Sequence, residues 1–255
     1  MGRGIKKFIY GLFYISIASL SVFLIYRSYT TIPPTCFDNI QNQTETGIDC
    51  GGTCVSCEIK NLIPITQASE PLIFSNPTSG GTIVVFEVEN QNSSHHATKF
   101  DYVINVFNPS GIKIETLSGS DALFANEKHY IYEPNIGTPK DNVGKISLDV
   151  LNPQWEPSDT RVPPELTIGD IKTGLVNGGL KVTGTIKNGN TFKASNVKIV
   201  AIIRNKNGFE FFASQIILTS IKGFETALFT VTFPSDKTLI DDIDPNGTKV
   251  FVSSQ

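Results

Sequence analysis

The chain is poor in the residues from which active sites are most often built. Of 255 residues only three are histidine, four cysteine, one tryptophan and one methionine, and every cysteine falls before position 58. The long C-terminal part therefore has no thiol for nucleophilic or redox chemistry and no disulfide of the antibody type. There is no G-x-S-x-G elbow, no P-loop, no H-E-x-x-H and no G-x-G-x-x-G. No basic cluster of the kind that reads phosphate backbones is present, which argues against nucleic acid as a partner. After the first 30 residues no long 3.6-residue periodicity occurs, so helical domains are excluded. The expectation is a non-enzyme that uses no cofactor or metal.

Charge is also missing where it would matter most. Residues 8–26 run from Phe8 to Tyr26 without a single charged side chain. As a helix, 19 residues span about 28 Å, close to the hydrocarbon thickness of a bilayer. Tyr10, Tyr26 and Tyr29 stand near its ends, where amphipathic rings favour the headgroup region. Arg3, Lys6 and Lys7 precede the run and only Arg27 follows closely, so the positive-inside bias predicts a cytoplasmic N-terminus. The competing reading is a cleaved signal peptide. Ile25-Tyr26-Arg27-Ser28-Tyr29 lacks a small-residue cleavage site, and Pro33-Pro34-Thr35-Cys36 is not a lipoprotein acylation box. The expected organisation is a tail over 1–7 and an uncleaved anchor over 8–27. Of the 21 basic residues four lie at or before Arg27, leaving 17 against 24 acidic ones, so the remainder carries −7.

Cys36, Cys50, Cys54 and Cys57 form a compact group within a module expected over 28–60. So short a segment cannot build much apolar core, and an even cysteine count just outside a membrane predicts two disulfides. Three pairings are possible. Four thiolates could alternatively hold zinc, although C-x13-C-x3-C-x2-C lacks two separated C-x2-C knuckles. Asp38, Asn42, Glu45 and Asp49 carry oxygens suited to calcium, and equally to capping turns. Gly47, Gly51 and Gly52 suit tight turns. The run resembles a cysteine-rich module of extracytoplasmic proteins, C-x-D-x-x-x-N-x-x-E-T-G-x-D-C-G-G-x-C-x-x-C. It matches from Cys36 and Asp38 through Asn42, Glu45-Thr46-Gly47 and Asp49-Cys50-Gly51-Gly52 to Cys54 and Cys57. Where that family often has glycine after the first Asp and after the Asn, this chain has Asn39 and Gln43. The resemblance implies surface exposure and disulfides.

Beyond Cys57, short alternating apolar runs are punctuated by Gly, Pro, Asn and Ser, which predicts an all-β fold. Strands are expected over 82–89, 100–107, 145–151, 180–186, 196–203, 227–233 and 249–252. The two halves also resemble each other. Gly80-Gly81 and Gly178-Gly179 each open a strand, ending at Glu89-Asn90 and Lys187-Asn188, an offset of 98. Asn108-Pro-Ser-Gly111 and Asn205-Lys-Asn-Gly208 recur at an offset of 97. This predicts a tandem repeat: one immunoglobulin-like β-sandwich over 61–152, a second over 165–255, and a proline-rich linker over 153–164. The second copy is similar to small β-sandwich domains of prokaryotic envelope proteins, including the FxLYD type. The likeness rests on Gly184-Thr-Ile-Lys-Asn188, Ala194-Ser-Asn-Val197, Val200-Ala-Ile-Ile-Arg204 and Asn207-Gly208, with Ile202-Ile203-Arg204-Asn205 in place of the aromatic-Leu-Tyr-Asp run.

The remaining polar and aromatic candidates are few. His95-His96 is expected in a solvated interstrand loop, with a metal site as the sharper alternative. His129 alternates with Tyr130 and Tyr132 in a strand. Trp155 is a candidate partner contact, against the blander expectation that it sits between the two sandwiches. Asp241-Asp242-Ile-Asp244-Pro-Asn-Gly247 reads as an acidic turn. Together these features predict a single-pass membrane protein with an extracytoplasmic β-rich ectodomain that binds a protein or envelope component. An accessory subunit of a secretion or pilus-like assembly is the alternative, and an extracytoplasmic enzyme the third reading.

Overall fold

A computed structural model describes residues 2–30, 35–176, 179–234 and 242–254. Pro33, Pro34, Gly178 and Asp241 of the sequence reading lie outside them. The chain divides into two units, 1–62 and 63–255. In the first, helix α1 (Arg3–Thr30) is long and apolar enough to cross a membrane, and none of its described side chains is buried. Its described side chains from Ile5 to Arg27 all face outward, as expected when the solvent for that surface is not protein. A single turn of helix, α2 (Cys57–Lys60), ends the cysteine module, capped by Ser56 Oγ accepting from Ile59 N–H.

Residues 63–255 fold as one compact unit, in which the described residues form four antiparallel sheets. The central strand of the first sheet is β3 (Thr82–Glu89). On one side it pairs with β1 (Thr66–Gln67) and β2 (Leu72–Ser75), on the other with β6 (Lys128–Ile136). The second sheet is β5 (Lys113–Leu123), β4 (His95–Phe107) and β7 (Lys145–Pro157), in that order. The third is β8 (Leu166–Val176), β9 (Gly179–Asn188) and β12 (Thr226–Thr232), with β9 central. The fourth is β11 (Glu210–Ile221), β10 (Ala194–Asn205) and β13 (Ile243–Ser253), with β10 central.

Small polar devices recur in the two halves. Asn90 N–H donates to Glu127 O (2.9 Å) and Asn188 N–H to Glu225 O (3.0 Å). Asn126 N–H donates to Asn92 O and Phe224 N–H to Asn190 O, again 98 residues on. At the hairpin tips Asn108 N–H donates to Ile112 O and Asn205 N–H to Phe209 O, with Gly111 and Gly208 at positive φ. The side chains of Asn90 and Asn188 are fully buried and donate to carbonyls around each loop: His95 and Phe124 in one, Phe192, Ile221 and Lys222 in the other.

The two halves are not beads on a linker. Val84, Phe86 and Val88 of β3 pack on Phe100, Ile104 and Val106 of β4 to make the first core. Ile83 and Val85, on the opposite face of the same strand, join the second core together with Phe74. Period-2 alternation makes this possible, because one strand offers two faces. Phe74 meets Phe212 at 6.1 Å between ring centroids, and Tyr130 meets Phe251 at 4.1 Å. The first and fourth sheets are thus the inner layers of a four-layer stack, and the second and third are the outer ones. Thr82–Phe86 and Ile199–Ile203 are buried at every position, as strands covered on both faces require.

The proline-rich segment is corrected in part. β7 runs on through Pro157, with Trp155 opposite Ala97 and Pro157 opposite His95. β7 is an edge strand, so its prolines remove no ladder bond that a neighbour needs. Only 158–165 is left as a connection. Asp244-Pro-Asn-Gly247 falls within β13, with Asp244 opposite Arg204, but as a bulge: the register skips to Lys249, and Asn246 N–H donates to Asp244 Oδ1 in a local turn.

Candidate functional site

The histidine pair occupies strand, not loop. His95 and His96 open β4 and both are buried. His96 Nδ1 faces the Ala125 backbone N–H at 2.9 Å, which can only donate, so Nδ1 accepts and the proton sits on Nε2. Nε2 then donates to two carbonyls, Ser158 at 2.9 Å and Arg161 at 2.8 Å. The ring also meets Phe124 edge-on at 5.2 Å. Both ring nitrogens are consumed by main-chain groups. His96 is a clasp holding the 158–161 strap to the β5–β6 loop, and neither solvation nor metal ligation describes it.

The strap in turn positions Arg161. Its guanidinium lies 5.1 Å from the centroid of Phe124, stacked as a cation over a ring face. Arg161, Thr160 and Pro164 then form one wall of an open cleft, opposed by Phe192, Lys193 and Ser195 of the β9–β10 hairpin. Asp159 and Glu165 do not line it. Among the described residues neither Arg161 nor Lys193 has an acidic partner.

A second polar feature lies buried where the halves meet. Asp121 of β5 receives Lys198 of β10 at 2.7 Å and faces His129 Nε2 of β6 at 3.2 Å. Burial alone would raise the Asp121 carboxyl, but the hydrogen bonds and charges of His129 and Lys198 outweigh it and hold the group far below the usual carboxylate range. Glu127, 4.0 Å from His129 Nδ1, shifts the other way because its own burial is the larger influence. Burial, then the Asp121 and Glu133 charges, pushes the Tyr102 hydroxyl up to about 12. Lys198 and the Ala122 N–H both donate to Asp121 Oδ1, while His129 faces Oδ2 without a well-aligned hydrogen bond. The Asp121–Lys198 ion pair ties one half to the other.

In the cysteine module the pairing is Cys36–Cys54 and Cys50–Cys57, and no cysteine is free. The zinc alternative is thereby removed, since a disulfide sulfur carries no thiolate. Asp49 Oδ1 accepts from the N–H groups of Asp38 and Asn39, both at 3.0 Å, and its Oδ2 meets Lys60 at 3.4 Å. Asp38 accepts from Thr35 and Ile40 N–H, and Glu45 from Asn42 N–H. The acidic residues hold backbone, which is the capping role. Asn39 and Gln43, at the two places where the resembling family often has glycine, are at φ 60° and 50°. A Cβ on Gly51 would overlap Thr46 Oγ1, and one on Gly52 would overlap Thr44.

Trp155 sits in β7, half-buried against the first core, and not between the halves. Sequence reasoning missed Asp121, Lys198 and Arg161, and met Asn90 and Asn188 only as recurring strand ends, without their buried role. Only the asparagines left a signal, their recurrence 98 residues apart.

No protein-family model matches the chain, and no curated protein matches it. Among solved structures it is similar to red sea bream transglutaminase, at 10% identity and a TM-score of 0.21, over 75% of this chain and 30% of that one. At that agreement the likeness identifies neither an activity nor a site.

Proposed function

We propose that the protein is a membrane-tethered interaction protein of the cell envelope, with the N-terminus cytoplasmic and residues 35–255 outside. The carrying observation is the combination of a fully outward-facing apolar helix with a module held by two disulfides, which persist in oxidising compartments. A stack of sheets with two shared inner layers suits a rigid support for contact surfaces rather than a moving catalytic cleft. We read the ectodomain as non-catalytic: His96 is held by main-chain groups, His129 faces Asp121, and His95, whose Nδ1 lies 3.0 Å from Ser94 Oγ, is buried in strand β4. The exposed part of Trp155 and the edge strands β5 and β7 are the contact surfaces of this reading. The repeated hydrogen-bond scheme supports a tandem origin for the two halves. The accessory-subunit reading draws on a shallow dip in α1 beside Ala18 and Ser19, where a neighbouring helix could approach.

Protease shaving of intact cells tests the topology. The expected result is release of fragments from 63–255, with an N-terminal tag protected until the membrane is opened. Protection of the β-rich unit and cleavage of the tag would reverse the orientation. Recovery of a soluble chain lacking α1 would show a cleaved leader instead.

A further inference from the structure

We propose that the cleft between the 158–164 strap and the β9–β10 hairpin is a binding site for an acidic saccharide, recognised through a sugar carboxylate. Three observations carry it. First, two cations without acidic partners among the described residues line one concavity, in a chain whose sequence after Arg27 carries −7. Second, the guanidinium is already placed. Its central carbon lies over the Phe124 ring, and the strap that bears it is fixed by the two carbonyls bonded to His96. Among the described residues no acceptor meets the Arg161 guanidinium, which leaves its N–H fork for the two oxygens of a carboxylate. A preplaced donor loses less freedom on binding than a mobile one.

Third, the rest of the lining suits a sugar better than a bare ion. Phe192, 39% exposed, offers a ring face to the C–H side of a pyranose, while Thr160 and Ser195 offer hydroxyl oxygens. Thr160 Oγ1 already donates to Pro157 O, so it faces a ligand as an acceptor. Lys193, on the opposite wall from Arg161, supplies a second positive point for the next acidic unit of a chain. Specificity thus comes from a bidentate carboxylate contact, with stacking and hydroxyl bonds around it.

The proposal relies on the envelope reading only for access to such a polymer. Binding in vitro is independent of topology, so failure of one does not entail failure of the other. The test is calorimetric titration of the full chain in lipid nanodiscs with trigalacturonate, its methyl ester, and triglutamate. Saturable binding of trigalacturonate is expected, at least about tenfold tighter than the ester or the peptide, a gap of about 1.4 kcal/mol. Arg161→Gln should weaken it about tenfold and Arg161→Lys by less, with an unchanged melting temperature. Lys113→Gln, outside the cleft, should change nothing. Equal affinity for the ester, preference for triglutamate, absence of saturable binding, or indifference to Arg161→Gln would each overturn the assignment.

Discussion

Asp121 concentrates the energetics of the junction in a single side chain. With Lys198 on one oxygen and His129 facing the other, replacing it by Asn leaves a buried ammonium without its counter-charge. Such a loss costs about 3 kcal/mol, which Asp121→Asn should show in denaturant unfolding at pH 7. The sign of the pH dependence follows from the lowered folded-state value. A depressed carboxylate contributes fully above its unfolded value of about 3.9 and loses that contribution as pH falls toward the folded value. The deficit of the Asn variant should therefore be complete at neutral pH and shrink on acidification below that point. Glu127 shifts oppositely and does not cancel from the comparison, because the Asp121 charge is one of the causes that raise it and the Asn variant removes that cause. Asn188 carries a different kind of weight, since its amide satisfies loop carbonyls that water cannot reach. Asn188→Ala should cost about 2 kcal/mol, and Asn90→Ala a similar amount, measured by the shift in denaturation midpoint.

At the scale of elements, sequence pattern and structure part company at strand ends and edges. The central strands β3, β4, β9 and β10 are legible because apolar residues recur along them with strand spacing. β5, reading Lys-Ile-Glu-Thr-Leu-Ser-Gly-Ser-Asp-Ala-Leu, is mostly polar because it edges an outer sheet, so periodicity alone hides it. β8 is broken by Gly169 and by Asp170 at φ 53°, where its register slips. β7 looks like a linker because an edge strand tolerates proline. The cysteine module is a separate element with its own prediction. Cross-links closing short loops contribute about 2–4 kcal/mol each, and unit 63–255 contains no cysteine. Under reductant, limited proteolysis should cut between residues 36 and 60 while the β-rich unit remains intact. Gly51→Ala should open the same region without reductant, because its Cβ has no space beside Thr46.

On the scale of the whole β-rich unit, the inner layers decide cooperativity. Phe74 belongs by sequence to the first half and by burial to the second core, where it meets Phe212. The two halves should therefore unfold in one calorimetric transition rather than two. Phe74→Ala, which removes a large buried ring, should cost about 3–5 kcal/mol and lower the stability of β9 and β10 amides in hydrogen exchange as well as that of β2. Independent melting of the halves would contradict the shared core.

What the sequence alone determined is local or periodic. The uncharged run fixes a membrane-length helix, the clustered cysteines fix a compact module held by disulfides or a metal, and alternation with recurring Asn and Gly motifs fixes strands, hairpin tips and their offset. Continuous runs such as Thr82-Ile-Val-Val-Phe86 and Val197-Lys-Ile-Val-Ala-Ile-Ile203 already carry apolar residues for two faces. They do not say what covers the second face, and here only the tertiary structure supplies the answer: the other half of the same unit. The pairing of the disulfides, the Asp121–Lys198 bridge and the Arg161 cleft belong to that class too. The bridge and the cleft join groups far apart in sequence, and the disulfides choose among three pairings of near neighbours. Burial and hydrogen-bond satisfaction together select each, and no spacing rule along a chain encodes that choice.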